Sequence, residues 1–277
     1  MSVATNQMRR EAAKRKLARQ QERRVQQAKR RRQIAVITSV AVVVVVVVGV
    51  VLLTTLPRSS DTAAAPSDAA TPTSQAAAAL PPGSCAYPPE GSAAKANNPP
   101  TTKDVPTTGT STVALTTSAG PIRLTLNAAE APCTVNSFLS LARQKYFDGT
   151  TCHRLTTGAG LKVLQCGDPT GTGSGGPGYT ITDEAPKGLA PAANGTVTYP
   201  RGTVAMAKTS APNSGGSQFF LVYADSTLPP DYTVFGTIDA PGLATLDKIA
   251  KAGEDDSNGA GDGKPKVPVT ITSAVVG

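Results

Sequence analysis

The sequence has no tryptophan, a single histidine, and only 4% aromatic residues in 277. One histidine excludes a His-rich metal centre. It also excludes catalysis by paired imidazoles, and the four cysteines contain no Cys-x-x-Cys pair with the spacing of a zinc site. Acidic and basic residues together make up 17% of the chain, and the basic excess is confined to one end. Residues 1–33 hold 12 Lys/Arg and 2 Glu, whereas the rest holds 15 basic and 17 acidic residues. The net charge of +8 is therefore a property of a tail. The remainder shows no basic surface for nucleic acid, and no nucleic-acid partner is expected. Large apolar side chains are almost missing from 57–110, where Ala, Pro, Ser and Thr dominate. Such a stretch cannot bury enough surface to offset the entropy of ordering, so it reads as a disordered stalk. Its exception is Cys85, around which Ser84–Tyr87 can be pinned back onto a domain.

The opposite extreme lies just upstream. Ile34–Leu56 is 23 residues without a charge, including an unbroken valine run from Val42 to Val48. At about 1.5 Å per residue it spans roughly 34 Å, enough to cross a bilayer core. The basic tail before it (1–33) sets the cytoplasmic side, which places the C-terminal part outside the cell membrane. A cleaved signal peptide is the rival, with Ala63-Ala64-Ala65 as processing site. The apolar run is too long and the basic region too large for it, so an uncleaved single-pass anchor is expected. Cys85, Cys133, Cys152 and Cys166 all fall beyond this segment, where an oxidising compartment favours two disulfides. Three pairings are possible. Cys152 and Cys166 flank one predicted hairpin, yet strand parity points them to opposite faces, and the connectivity stays open.

From Ser111 the pattern becomes that of a folded domain (111–277). Val113 and Leu115 alternate, Ser118-Ala119-Gly120 turns, and Ile122, Leu124 and Leu126 alternate again, which predicts a hairpin. Pro132 opens a helix with Val135, Phe138, Leu139 and Ala142 on one stripe and Gly149 beyond its end. Further strands are predicted over Thr151–Leu155, Lys162–Cys166, Gly202–Ala207, Gln218–Tyr223, Tyr232–Ile238 and Val267–Val275, with a second helix over Leu243–Lys251. Eight mostly antiparallel strands and two helices suit a mainly β domain: a closed eight-stranded barrel capped by helices.

Three runs stand out. Gly202–Phe220, GTVAMAKTSAPNSGGSQFF, joins two strands through dense turn chemistry. Upstream lie Cys152-His153-Arg154 and Leu164-Gln165-Cys166-Gly167-Asp168, followed by GTGSGGPGY. The glycine run lacks the Lys-Ser/Thr and helix of a phosphate-binding loop. His153 precedes Arg154, so alternation turns it inward as a hydrogen-bonded core histidine. In order and spacing, these runs resemble the signature of the cyclophilins, peptidyl-prolyl cis-trans isomerases, over roughly Ser111 to Gly277. The resemblance implies a closed barrel, X-Pro-containing polypeptides as substrates, no cofactor or metal, and a role in folding exported proteins; a monomer is expected. It assigns Arg154 as the catalytic cation, Gln165 as its orienting partner and Phe220 to the proline pocket with Val163, Met206 and Leu228. Ala207 and Gln218 match substrate-backbone contacts, Gly173 an adjoining shallow pocket, and Tyr232 a position usually held by histidine.

The chemistry agrees with such a small set. Rotation about an X-Pro bond is slow because amide resonance imposes a barrier of about 20 kcal/mol. No nucleophile or metal is required, only an apolar grip on the ring and a fixed cation that favours the twisted amide. Several positions depart from the family pattern. Ten residues separate Arg154 from Gln165, about three more than usual, and Lys162 stands where phenylalanine is customary. Lys208-Thr209 replaces Asn-Ala, and Thr227 stands in place of the tryptophan that helps bind cyclosporin. A remodelled pocket that binds Pro-containing segments without useful turnover is the alternative function.

Overall fold

The structure is a computed structural model and describes residues 81–277. The basic tail, the apolar segment Ile34–Leu56 and stalk residues 57–80 lie outside the described residues. Among the described residues no helix is long and apolar enough to cross a membrane. In chain order the elements are β1 (Thr110–Thr117), β2 (Gly120–Asn127), α1 (Pro132–Arg143), β3 (Thr150–Thr151), β4 (Arg154–Thr156), β5 (Val163–Cys166), β6 (Ala190–Pro191), β7 (Val197–Tyr199), β8 (Thr203–Met206), β9 (Phe219–Val222), β10 (Ser226–Leu228), β11 (Val234–Ile238), α2 (Ala240–Ala252), β12 (Asp262–Gly263) and β13 (Thr270–Val276).

The β1–β2 hairpin turns at Ser118-Ala119, where the alternation broke, and its register runs from Thr110↔Asn127 to Thr117↔Gly120. Ten strands form one sheet in the order β12-β4-β5-β9-β8-β11-β2-β1-β13-β3, and β10-β7-β6 form a second, small sheet. The expected closure into an eight-stranded barrel is corrected: the large sheet curls but its ladder stays open. The break falls at Cys152-His153, which separate β3, paired to β13, from β4, paired to β5. The same break resolves the parity conflict at the cysteines. Alternation resets there, so Cys152 and Cys166 both turn into the core, and they are joined as a disulfide with Cα atoms 4.0 Å apart.

The interior is filled by Val113, Leu115, Ile122, Leu124, Leu164 and Leu221 among others, each removed from water. Helix α1 closes one end. Its Phe138 ring stacks on Phe147 at 4.8 Å and meets Phe219 and Phe235 at 5.1 and 5.3 Å. Proline occupies the start of α1, and Glu184 accepts from the Cys133 and Thr134 amides at 3.0 and 2.9 Å, satisfying donors that the helix itself leaves free. Helix α2 is capped by Asp239, whose carboxylate accepts from the Gly242 amide at 2.8 Å, and it ends at Gly253 with φ of 80°.

Residues 81–109, expected as the end of the stalk, form an ordered arm against the domain. Cys85 is bonded to Cys133 in α1, and Cys85, Tyr87 and Val105 are buried. The Tyr87 hydroxyl donates to the Cys133 carbonyl at 2.9 Å. The Lys95 ammonium donates to the carbonyls of Lys145 and Asp148 at 2.7 and 2.8 Å, just past the end of α1. The arm has no periodic pattern because it makes no long ladder. One covalent bond and a few anchors hold it.

The strands β8 and β9 carry the site and are buried on both faces. Their inner face belongs to the main core. Their outer face makes a second apolar cluster of Val163, Tyr199, Ala205, Phe220 and Val222, against which Leu228, Tyr232 and Ala207 pack. Sequence reading missed β6, β7 and β10, the small sheet from which part of this cover comes. They are two or three residues long and sit among Pro, Ala and Gly, where period-2 alternation cannot show.

Candidate active site

Antiparallel register sets the site. Arg154 pairs with Gln165, Gln165 with Phe220, and Phe220 with Ala205, giving one lateral row across four strands. Residues in such a row share a face at about 4.8 Å per strand. The cation, the amide and the aromatic ring are therefore brought together by pairing alone, although up to 66 positions separate them in sequence.

Arg154 is fixed from two sides. Its Nε donates to Asp262 Oδ1 at 2.8 Å and its Nη2 to Asp262 Oδ2 at 2.5 Å. Its Nη1 donates to Gln165 Oε1 at 3.3 Å. Hydrogen bonds from the Arg154 guanidinium hold the Asp262 carboxyl below its ordinary range. The Asp262 hydrogen bonds raise the arginine in turn, against the effect of burial, so both stay charged. Five N–H groups are available on a guanidinium. Three are used, leaving one uncommitted on Nη1 and one on Nη2.

The chain of amides continues. Gln165 Nε2 donates to Gln218 Oε1 at 3.0 Å, and Gln218 Nε2 donates to the Gly173 and Gly175 carbonyls, each at 3.0 Å. Gly173 is held in turn, its amide donating to Asp168 at 2.7 Å with φ of 85°. Asp168 is fully buried and also accepts from the Thr170 amide and hydroxyl and the Thr172 amide. Burial would raise its carboxyl, yet these donors together hold it below its ordinary value. Gly167 (φ of 93°) precedes this loop where a Cβ would lie 2.2 Å from the Ser217 carbonyl, so no other residue fits there.

Beyond Gln165 and Gln218 opens a cleft of about 620 Å³ whose wall includes Gly173, Ala207, Lys208 and, from the arm, Glu90–Ser92. Lys208 does not obstruct it: its ammonium is paired with Asp183 at 2.7 Å. On the other side of the row, Phe220 meets Tyr232 edge-to-face at 5.6 Å and Tyr199 at 6.4 Å. The Tyr199 hydroxyl donates to the carbonyl of Pro229 at 3.1 Å, and its pKa is pushed up to about 12 by burial.

Of the residues expected to form the site, Arg154, Gln165, Phe220, Val163, Ala207, Leu228 and Tyr232 fall on this face, and Gly173 and Gln218 border the cleft. Met206 is the correction. It is 5% exposed and packs in the main core on the inner side of β8, because Ala205 and Ala207 take the outward positions. His153 is partly buried beside Gly173, burial lowers its pKa, and neither ring nitrogen has a hydrogen-bond partner among the described residues, contrary to the expected hydrogen-bonded core histidine. Asp262 and Tyr199 were missed. Asp262 lies in the Gly/Asp-rich run Gly253–Gly263, which has no periodicity to place it. Tyr199 ends a three-residue strand.

Comparison with known proteins identifies related chains. The sequence profile described as cyclophilin type peptidyl-prolyl cis-trans isomerase/CLD matches residues 112–276. A probable peptidyl-prolyl cis-trans isomerase B of Mycobacterium tuberculosis is 57% identical over 182 residues, 64% of this chain and 58% of that protein. The chain thus spans less than two thirds of that relative's length. A peptidyl-prolyl cis-trans isomerase of Helicobacter pylori is 39% identical over 142 residues, covering 50% of this chain and 80% of that one. Among solved structures, a Cryptosporidium parvum cyclophilin type peptidyl-prolyl cis-trans isomerase aligns with TM-score 0.49 at 29% identity, over 61% of this chain and 98% of the other. With a profile match over more than half its length, and with the motif residues gathered on one face, this chain belongs to the cyclophilin-type peptidyl-prolyl cis-trans isomerase family.

Proposed function

We propose that the protein is an active prolyl isomerase that assists the folding of exported polypeptides, held at the cell membrane by Ile34–Leu56 with its folded domain outside. The observation that carries the catalytic reading is Arg154. It is charged, locked by Asp262 and Gln165, and keeps two N–H groups in reserve beside the Phe220 cluster. An X-Pro segment lays its ring against Phe220, Val163, Leu228 and Tyr232, while its upstream backbone runs past Gln218 and Ala207 toward the cleft. The free N–H groups of Arg154 donate to the substrate carbonyl oxygen or to the prolyl nitrogen. The nitrogen lone pair becomes available as resonance is lost, so the interaction is stronger in the twisted state than in either planar form.

Localisation rests on two features that support each other. Twelve Lys/Arg precede the uncharged segment, and all four described cysteines are paired in disulfides, which persist in oxidising compartments. A monomer is consistent with the surface: among the described residues, the exposed large apolar side chains are Val267 and Val275.

The test compares the full chain in detergent micelles with its Arg154→Ala variant on a short X-Pro peptide. At least tenfold lower turnover is expected, about 1.4 kcal/mol of transition-state stabilisation, with near-UV CD unchanged. Unchanged turnover in a folded variant refutes the assignment of Arg154, and absence of turnover in the wild type leaves a binding module.

A further inference from the structure

Asp262 sits at the end of a loop that is built rather than loose. In Glu254–Gly263, the Gly261 amide donates to Asp256 Oδ1 at 2.7 Å and the Ser257 amide to Asp255 Oδ1 at 3.0 Å. The Thr157 and Gly158 amides both donate to the Gly261 carbonyl, at 2.8 and 3.2 Å. These contacts dock the loop beside β4, where β12 pairs Asp262 with Thr156 and Gly263 with Leu155. Thr156 is two residues from Arg154 on the same strand, so Asp262 is its diagonal neighbour on the same face. Its carboxylate is steadied independently by Asn258, whose Nδ2 donates to Oδ1 at 3.0 Å.

The side chains of Arg154 and Asp262 are 33% and 27% exposed, so packing alone leaves the guanidinium room to swing. A free arginine side chain samples many rotamers. A carboxylate across the Nε–Nη2 edge removes that freedom before substrate arrives and leaves the remaining N–H groups at fixed angles. Gln165 restrains Nη1 through a longer bond of 3.3 Å and cannot by itself set the plane of the group.

We infer that Asp262 is a positioning residue for isomerisation: it presets the guanidinium plane of Arg154, and through the 254–263 loop it makes this region part of the active site. The inference rests on the assignment of Arg154 as the catalytic cation. A merely structural ion pair between β12 and β4 would act on stability and leave turnover of the folded protein unchanged. A preset guanidinium acts on turnover, because the contact it protects is made in the twisted state.

The experiment uses the full chain in micelles with Asp262→Asn and Asp262→Ala. X-Pro exchange rates are measured over a range of peptide concentration, and the Arg154 Nε–H resonance is followed by NMR. Asparagine keeps one acceptor for Nε and should lower kcat about threefold; alanine should lower it about tenfold. KM should stay within twofold, and the Nε–H signal should broaden and shift in the same order. If both variants are folded, the Nε–H signal has changed and kcat is that of the wild type, the inference is wrong. A rise in KM at constant kcat also overturns it, since Asp262 would then aid binding alone. Should the alanine variant not fold, the near-isosteric asparagine variant decides alone by the same criteria. Arg154→Ala measured alongside separates the two levels. If that variant is active the catalytic assignment falls, whereas an inactive Arg154→Ala beside a fully active Asp262→Ala removes the positioning role only.

Discussion

Replacing Cys85 and Cys133 together by serine tests how the arm is held. The two residues are 48 positions apart and enclose β1, β2 and the start of α1. On the chain-entropy relation, a loop of that length restrains the unfolded ensemble by about 4 kcal/mol at 25 °C. The folded state changes less. Tyr87 keeps its hydrogen bonds to the Cys133 carbonyl and from Asn136, and its edge contact with Tyr179 at 5.5 Å. Backbone bonds from Glu90 to Gly178 and from Ala94 to Gly176 also remain. The loss of global stability should therefore be about 2–4 kcal/mol, most of it through the unfolded state. Urea unfolding followed by far-UV CD and by tyrosine fluorescence, the chain having no tryptophan, measures it. The m value should rise as the unfolded chain expands. A loss under about 0.5 kcal/mol at unchanged m, with the bond shown intact in the wild type, would refute the reasoning. The arm would then be held by its packing, with the disulfide adding nothing.

Three further outcomes follow from the site and the chain's layout. Asp168→Asn should destabilise the folded domain by about 2–3 kcal/mol, because an amide cannot accept from all the donors aimed at that buried carboxylate. The folded carboxyl lies below its ordinary value of 3.8. Its contribution is therefore complete above about pH 4 and lost as pH falls through the folded value. Stability measured from pH 2 to 6 should show that dependence shrink in the variant; an unchanged acid limb argues against it. Thr227 is exposed in β10 and offers no indole, so cyclosporin should inhibit weakly, and Thr227→Trp should tighten inhibition roughly 5- to 150-fold with little change in turnover. Nanomolar inhibition of the wild type would contradict this. A reporter fused after Gly277 should be exported and one before Ile34 retained, and a cytoplasmic C-terminal reporter would overturn the proposed topology.

Legibility in the sequence followed the length scale of the interaction. The β1–β2 hairpin and α1 were readable because each buries one face, which imprints period 2 or 3.6 on its own residues. The row Arg154–Gln165–Phe220 was readable through short motifs, and antiparallel pairing then did the assembly. Met206 was placed in the pocket by motif resemblance, and alternation could not check that placement because β8 is buried on both faces; small alanines take the outward positions. Asp262 was invisible for a different reason: nothing within its glycine-rich loop says that it returns beside β4. The arm's role was only hinted at by Cys85, since a segment held by one cross-link and a few scattered anchors leaves no pattern. Closure of the sheet was overestimated because alternation is blind to a two-residue break such as Cys152-His153.

The two-sided burial of β8 and β9 has a consequence for how the molecule opens. Amides in these strands are shielded by the main core beneath and the outer cluster above, so they should exchange with solvent only on global unfolding. The arm and the 170–178 loop lie at the surface, most of their residues half-buried or exposed, and should open in smaller steps. Phe220 and its neighbours are thus mounted on the last part of the domain to come apart, while the cleft beside them is framed by the first. On the proposed reading, this arrangement lets the approach to the pocket open while the ring-binding surface keeps its shape.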